Sequence, residues 1–262
     1  MSVTAIIAGS GRLPSLLASA LDNPVVAAMD GFMPEGVEPQ VIFRLERLAP
    51  LMRDLADRGV ERVIFAGAVR RPALDPSLFD PVTAALVPRI LAAMKGGDDG
   101  LLRTVIEVFE EAGFTVIGVE DIAPHLVPAA GVIGGDPSDR DRADAGRAAD
   151  IVQALGRVDV GQGAVVADGL CLAVEALPGT DAMLDWVAMT RQGRGGVFFK
   201  APKPGQDRRV DLPALGIGTV HRAAKAGLSC IAWEAGGVIL LDKESMIREA
   251  AAAGITLWAR AS

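Results

Sequence analysis

Short apolar runs alternate with segments of helical periodicity along the first half of the chain. The runs at 4–8, 25–29, 62–66 and 115–119 have the length and composition of buried strands, whereas 48–58 carries apolar residues at helical spacing. Strands that alternate with helices predict a doubly wound parallel sheet, in which ligands bind at the carboxyl ends of the strands. The first half is therefore expected to be a Rossmann-like domain of an α/β protein.

The second half begins differently. Runs at 163–167 and 170–176 are separated by Asp168-Gly169, the sequence signal of a two-residue hairpin turn. We therefore expect a distinct C-terminal α/β domain. The stretch before it, 123–140, is rich in proline and glycine. We place the Rossmann-like domain at 1–130, a linker at 131–140, and the second α/β domain at 141–262.

A glycine turn closes the first predicted strand. Gly9-Ser10-Gly11, followed by Arg12 and Leu13, has the strand, turn and helix-start order that presents backbone N–H groups to a phosphate. Gly67 marks a second strand end of the same kind. The dinucleotide fingerprint GxGxxG is incomplete because its third glycine position holds Pro14, and Asp30 does not rescue an NAD site. A turn that serves folding alone is the alternative interpretation.

Two further segments of the first half carry charge near predicted strand or helix ends. Gly97, Asp98 and Asp99 precede a helical segment, and one aspartate is explained by helix capping. The second aspartate beside a double glycine indicates a ligand site. Arg70-Arg71 follows the third strand and suits either an anion or a solvated surface.

The densest group of ionisable residues lies between Gly195 and Gly216. Val197 to Phe199 reads as a core strand, and Lys200 follows it directly. Prolines and glycines then prevent regular structure and predict a rigid polar loop at a strand end, where catalytic groups concentrate. Cations beside carboxylates suit a phosphorylated or metal-bridged substrate. A solvated turn with surface ion pairs is the alternative. The polar residues of this loop are Lys203, Gln206, Asp207, Arg208, Arg209 and Asp211.

Two carboxylates precede this loop. Glu175 lies inside a predicted strand, where an unpaired carboxylate would be costly, and Asp181 begins a predicted helix. They are candidates for holding a metal or polarising water. A buried ion pair for Glu175 and a helix cap for Asp181 explain them equally well.

Composition narrows the function. The 262 residues are 50% apolar and 23% charged, with a net charge of −7, so the global field repels nucleic acid and any anion site must be local. Cys171 and Cys230 lie in apolar runs without metal-binding spacing, and both are interpreted as core residues. The start MSVTAIIAGSGRLP lacks a basic segment, and no run approaches the ~20 apolar residues of a spanning helix. A cytoplasmic protein is expected.

Several motifs taken together resemble the LpxI family in content and order, over nearly the whole chain. They are IAGSGRLP at 7–14, GGDDGLL at 96–102, DVGQGAVV at 159–166, AVEALPGTDAML at 173–184, KAPKPGQDRRVDLPALG at 200–216 and AWEAGGVILLD at 232–242. The resemblance implies Mg²⁺-dependent hydrolysis of UDP-2,3-diacylglucosamine to UMP and 2,3-diacylglucosamine 1-phosphate (lipid X), in lipid A biosynthesis. It also implies a Rossmann-like N-terminal domain, a distinct C-terminal domain with the lipid between them, and peripheral contact with the cytoplasmic face of the inner membrane.

The residues and the resemblance together predict a site. Asp207 and Asp211 are expected to bind Mg²⁺ or activate water, and the two roles remain unassigned between them. The predicted catalytic set is Asp207, Asp211, Lys200, Lys203, Gln206 and Arg208. The predicted substrate-binding set is Gly9, Ser10, Gly11, Arg12, Leu13, Gly67, Gly97, Asp98, Asp99, Gln162, Glu175, Gly179, Thr180 and Asp181.

Two other functions remain open from the sequence. The chain can be a non-catalytic module that binds a nucleotide-sugar or a lipid, or, with weaker support, a Rossmann oxidoreductase. The expected partner in the main interpretation is the lipid substrate, no nucleic acid is expected, and a homodimer is left open.

Overall fold

The computed structural model describes residues 2–69, 74–94 and 98–261, without the side chains of Met94, Asp98 and Asp99. The chain forms two compact units, Met1–Ala123 and Pro124–Ser262. Arg70, Arg71 and Gly97 lie outside the described residues, so the predictions made for them have no structural counterpart.

The first unit contains a five-stranded sheet in which every pairing is parallel, with the order β3-β2-β1-β4-β5. This confirms the predicted Rossmann-like sheet. Its strands are β1 (Val3–Ala8), β2 (Val25–Met29), β3 (Val41–Phe43), β4 (Val60–Ala66) and β5 (Thr115–Val116). Its helices are α1 (Leu13–Ser19), α2 (Leu48–Asp57), α3 (Pro81–Met94), α4 (Asp98–Glu111) and α5 (Val119–Ile122).

The second unit is built on a six-stranded mixed sheet with the order β6-β13-β11-β9-β7-β8, and a separate parallel pair joins β10 to β12. The strands are β6 (Gly131–Gly134), β7 (Gly163–Ala167), β8 (Leu170–Val174), β9 (Val197–Lys200), β10 (Ala214–Leu215), β11 (Cys230–Glu234), β12 (Ile239–Leu240) and β13 (Thr256–Arg260). The helices are α6 (Asp139–Gly156), α7 (Gly179–Thr190), α8 (Ile217–Lys225) and α9 (Lys243–Ala253).

The core of the second unit follows the two-residue period of its strands, because successive side chains point to opposite faces of a sheet. Phe199 of β9 and Ala232 of β11 pack with α6 on one face. Phe198 and Ile231, their neighbours in sequence, pack with α7, α8 and α9 on the other face. The sheet is therefore covered on both sides, and polar side chains are confined to its edges and ends.

The predicted hairpin is confirmed. Strands β7 and β8 pair antiparallel, and the turn residues Asp168 and Gly169 have φ values of 56° and 75°. Positive φ at both central positions defines the type I′ turn that suits a two-residue hairpin. The carboxylate of Asp144 on α6 accepts hydrogen bonds from both turn N–H groups, at 3.1 and 2.7 Å, which fixes the turn against the helix.

The linker predicted at 131–140 is wrong. Gly131–Gly134 forms the edge strand β6, which pairs antiparallel with β13. Helix α6 begins at Asp139, and a capping box between Ser138 and Asp141 stabilises its start. Glycines flanking Val132 and Ile133 imitate a linker in the sequence, but an edge strand tolerates them because only one of its sides is paired. The boundary between the two compact units lies earlier in the chain, between Ala123 and Pro124.

None of the helices in the described part of the chain combines the length and the apolar character needed to cross a bilayer.

The two cysteines occupy different environments. Cys230 is buried in β11, as predicted, whereas Cys171 is exposed on β8, which corrects the prediction that both are core residues. The apolar run around Cys171 forms the edge strand β8, and none of the five side chains of this strand is buried. Burial raises the pKa of the Cys230 thiol to about 12, with the nearby Asp141 carboxylate adding to the effect.

Alkylation by iodoacetamide at pH 8 should therefore modify Cys171 alone in the folded protein, because only the thiolate reacts. Mass spectrometry of tryptic peptides should locate one adduct on the native chain and two after unfolding in urea. Rapid native modification of Cys230 would contradict this burial.

Candidate functional site

Polar groups of the second unit converge on one edge of its sheet. Gly163, the first residue of β7, lies opposite Lys200, the last residue of β9. Val174, the last residue of β8, lies opposite Ala164 of β7. Because β7 runs antiparallel to both neighbours, its start and the ends of β8 and β9 meet at the same edge. Three segments therefore lie side by side at this edge: 159–163, which leads into β7, 175–181, which follows β8, and the loop after Lys200.

A buried ion pair with a hydroxyl attached occupies this edge. The Lys200 ammonium donates to both carboxylate oxygens of Glu175, at 2.9 and 3.2 Å, and to the Thr180 hydroxyl oxygen at 2.5 Å. The Lys200 and Glu175 side chains are only 4% and 10% exposed. Three acceptors match the three N–H groups of the ammonium, so its hydrogen-bonding capacity is filled.

The strand pattern explains why a lysine occupies this buried position. Phe198 and Lys200 are two residues apart in β9 and therefore lie on the same face of the sheet, the face covered by α7. Thr180 lies in the first turn of α7 and Glu175 directly follows β8. Lys200 belongs to the predicted catalytic set, and direct contact of its ammonium with a further anion would require breaking this buried ion pair.

Two glycines allow the surrounding backbone to approach Glu175. A Cβ at Gly161 would lie 2.0 Å from the Glu175 carbonyl oxygen, and a Cβ at Gly163 would lie 2.5 Å from its carboxylate. The sequence DVGQG therefore packs against the carboxylate segment of the site. Gln162 lies between these glycines, and within the described residues its buried side-chain oxygen has no hydrogen-bond partner.

The cations of the polar loop are paired with carboxylates. Lys203 contacts Asp159 at 2.6 Å, and Arg208 contacts Glu234 at 2.5 Å. Sequence analysis did not assign these two acidic partners to the site. Their positions in the sequence could have indicated a place in the site, because Asp159 is the first residue of DVGQG and Glu234 is the last residue of the buried strand β11.

The two predicted metal ligands lie on one turn of the loop. The Asp211 N–H donates to the Asp207 carbonyl oxygen at 3.2 Å. Arg209 contacts the Asp207 carboxylate through its Nη2 at 2.7 Å and its Nε at 3.1 Å. The side-chain amide of Gln206 donates to the Asp211 carboxylate, while its oxygen accepts from the Lys203 N–H at 2.9 Å. Gln206 is buried, and its side chain links Lys203 to Asp211 within the loop.

The two carboxylates of this turn would need further ligands to hold a magnesium ion. Within the described residues, no group of three or more His, Cys, Asp or Glu side chains is arranged to bind a metal on its own. Mg²⁺ is commonly held by one or two carboxylates together with phosphate oxygens and water. Asp207 and Asp211 would supply two hard oxygen ligands from one turn of the loop, and oxygens of a bound anion and water would have to supply the rest.

Thr180 and Asp181 differ in their surroundings although they are adjacent. Thr180 is half-buried and contacts Lys200, whereas the Asp181 side chain is 62% exposed and contacts Arg222 at 3.2 Å. Gly179 begins α7 with a φ of 86°. Of the three, Thr180 is the residue that the structure brings to the buried pair.

The glycine turn of the first unit is constrained by a neighbouring strand end. The N–H groups of Gly9 and Ser10 donate to the carbonyls of Ala66 and Ala68, at 2.8 and 2.9 Å. A Cβ at Gly67 would lie 2.7 Å from the Ser10 carbonyl oxygen, so this close approach requires glycine. The folding interpretation thus accounts for Gly9 and Gly67, and the two N–H groups are not available to a phosphate.

The neighbouring residues of this turn remain predicted contacts. Gly11 has a φ of 93° and open space around its Cβ position, Arg12 is exposed, and Leu13 begins α1.

Asp98 and Asp99 begin α4, but their side chains lie outside the described part of the structure.

The fold and this edge define a two-unit α/β protein whose second unit carries a charged loop suited to an anionic substrate. Residues 3–126 match the LpxI N-terminal domain, and residues 129–258 match the LpxI C-terminal domain. The chain belongs to the LpxI family. It is 38% identical over 259 residues to a Caulobacter vibrioides protein named UDP-2,3-diacylglucosamine pyrophosphatase LpxI, covering 94% of this chain and 92% of that protein.

Proposed function

We propose that this chain is a hydrolase that cleaves the pyrophosphate of UDP-2,3-diacylglucosamine to UMP and 2,3-diacylglucosamine 1-phosphate (lipid X), in lipid A biosynthesis. The observation that carries the proposal is the 38% identity, over 94% of the chain, to the Caulobacter vibrioides UDP-2,3-diacylglucosamine pyrophosphatase. That similarity includes both domains of the family, and the charged loop lies within the matched C-terminal domain.

The ion pairs of the loop are suited to exchange with a pyrophosphate. The Lys203 and Asp159 side chains are 20% and 42% exposed, and those of Arg208 and Glu234 are 55% and 23% exposed. Pairs of this exposure typically contribute about 0–1 kcal/mol to stability. A pyrophosphate with several negative charges can therefore replace the carboxylate partners at little cost. The buried Lys200–Glu175 pair, by contrast, is expected to stay intact.

The reaction requires charge neutralisation and a positioned water more than it requires a covalent nucleophile. Water supplies the oxygen of the new P–O bond, the bridging oxygen leaves with the other phosphate, and the two phosphate monoesters release two protons when they are fully ionised. Lys203 and Arg208 would neutralise the phosphoryl oxygens. Of Asp207 and Asp211, one or both would accept the water proton or hold the metal ion.

We propose Mg²⁺ as the cofactor, held by Asp207 and Asp211 together with the substrate. When bound, the ion would polarise the phosphoryl oxygens and stabilise negative charge in the transition state. The buried Gln206 holds the Asp211 carboxylate in the loop by its hydrogen bond. Removal of divalent ions with EDTA should abolish turnover, and added MgCl₂ should restore it.

The direct test is incubation of the purified chain with UDP-2,3-diacylglucosamine and MgCl₂, with products separated and identified by mass spectrometry. UMP and the sugar 1-phosphate should form in equal amounts. Incubation in ¹⁸O-labelled water should place one label in a single product and thereby identify the attacked phosphorus. Tight binding of the substrate without any product would instead favour the non-catalytic binding module.

We propose that the chain reaches its lipid substrate by peripheral contact with the membrane. Three large apolar side chains on α7 or just before it are exposed: Leu177 at 98%, Trp186 at 49% and Met189 at 75%. Leu177 lies between Glu175 and Thr180 in sequence, and the other two lie on α7. Apolar side chains at a lipid-processing site suit an interfacial surface, where tryptophan is favoured.

Co-sedimentation with phospholipid vesicles tests this contact. The double substitution Trp186→Ser and Met189→Ser should lower the vesicle-bound fraction severalfold, because it removes apolar area from the proposed surface. Val158→Ser is the matched control, since Val158 is 68% exposed and lies outside the segment 177–189. Equal vesicle binding by the double variant and by Val158→Ser would contradict the proposal that α7 contacts the membrane.

A further inference from the structure

The contact with Lys200 determines which hydrogen bonds the Thr180 hydroxyl can still make. An ammonium group only donates hydrogen bonds, so in the 2.5 Å contact between Lys200 Nζ and Thr180 Oγ1 the hydroxyl oxygen is the acceptor. The hydroxyl hydrogen must then point elsewhere. Within the residues that the structure describes, no carbonyl or carboxylate accepts it. Thr190, on the same helix, shows the usual alternative, because its hydroxyl donates to the Trp186 carbonyl at 2.8 Å.

The arrangement is layered from the core outward. Glu175 and Lys200 are buried, and Thr180 is half-buried beside them. The polar loop with Asp207 and Asp211 begins directly after Lys200. The hydroxyl is therefore bonded to a buried ion pair while Thr180 itself is partly exposed.

A buried ion pair is weak evidence for stability, since apolar residues of similar volume are often as stable or more so. The pair here fixes the hydroxyl oxygen, because both carboxylate oxygens hold the ammonium and the ammonium donates to the oxygen of Thr180. Such a preorganised donor does not have to be reoriented when a charged acceptor arrives.

We propose that Thr180 donates a hydrogen bond to a phosphoryl oxygen of the pyrophosphate substrate, and that Glu175 and Lys200 are positioning residues that aim its hydroxyl. This inference rests on the proposed pyrophosphate hydrolysis. It gives Lys200, a member of the predicted catalytic set, a positioning role, and it gives Glu175 a function other than metal binding.

The central experiment compares Thr180→Val with Thr180→Ser in steady-state hydrolysis of UDP-2,3-diacylglucosamine. Valine keeps the shape but removes the donor, so kcat/KM should fall about 10- to 100-fold, as expected for a hydrogen bond to a charged acceptor. Serine keeps the donor and should remain within about threefold of the wild type. Thr190→Val removes a hydroxyl from the same helix and should leave kcat/KM unchanged.

The positioning role has a separate readout. Glu175→Gln should lower kcat/KM in the wild-type background, but should have little further effect in the Thr180→Val background because both changes act through one hydroxyl. Additive losses would overturn the positioning role. A Thr180→Val enzyme within threefold of the wild type, or Thr180→Ser as impaired as Thr180→Val, would overturn the contact itself.

A binding measurement separates this inference from the proposed function. Calorimetric titration with inorganic pyrophosphate and MgCl₂ should show weaker binding to Thr180→Val than to the wild type and to Thr180→Ser. If the wild type binds pyrophosphate through Thr180 but does not hydrolyse the lipid, the proposed function fails and the contact stands. Hydrolysis by the wild type with equal pyrophosphate affinity and equal kcat/KM in all three proteins would leave the function standing and reject the contact.

Discussion

Replacing Asp207 or Asp211 by alanine is expected to lower kcat by about 100-fold or more, the magnitude that a group activating water or binding a catalytic metal commonly supplies. Neither change should unfold the chain. Asp207 is 25% exposed and its pair with Arg209 spans only two positions of the same loop. Thermal unfolding midpoints should therefore stay close to that of the wild type.

Asp136→Ala provides the matched control for these two variants. Asp136 is 89% exposed and makes a similar ion pair, with Arg142 at 3.3 Å, outside the polar loop. It should retain full activity. Substrate binding by Asp207→Ala, measured by calorimetry, should persist in part while turnover is lost, which distinguishes an enzyme from a binding module. Near-wild-type turnover in both Asp207→Ala and Asp211→Ala would reject the loop as the catalytic centre.

The fold followed from the sequence where local patterns and tertiary packing agree. Apolar runs such as 4–8 and 62–66 became central strands, and Asp168-Gly169 became the predicted two-residue hairpin turn. Two predictions failed at sheet edges. The segment 131–134 became a strand and Cys171 became exposed. Whether a short run pairs on one side or two depends on residues far away in sequence, which local periodicity does not report.

The residue types of the site were predictable from the sequence, whereas the ion pairs that its side chains form were less so. The cations and carboxylates of the loop were predictable, because proline and glycine interrupt the pattern after a buried strand. The contacts of Asp159 with Lys203, 44 positions away, and of Glu234 with Arg208, 26 positions away, were not. The sequence allowed either metal binding or ion pairing for Glu175, and the structure shows the ion pair with Lys200.

Lys200→Met is expected to cost more stability than any other single change in the site. It leaves the Glu175 carboxylate buried without its counter-charge, and breaking a buried pair in this way typically costs about 3–5 kcal/mol. Lys203→Met is the matched control, because it removes the same ammonium from a pair whose partners are 20% and 42% exposed. That change should cost about 1 kcal/mol or less. Urea unfolding at pH 7 measures both.

The double variant Glu175→Leu with Lys200→Met separates the cost of an unpaired charge from the value of the pair. Removing both charges leaves an apolar contact beside Phe198, and replacing a buried pair by apolar residues is often neutral or stabilising. We therefore expect the double variant to recover most of the stability lost in Lys200→Met while remaining impaired in turnover. A double variant as unstable as Lys200→Met would mean that the pair itself holds the fold, and the ion pair would then be a structural element instead of a positioning device for Thr180.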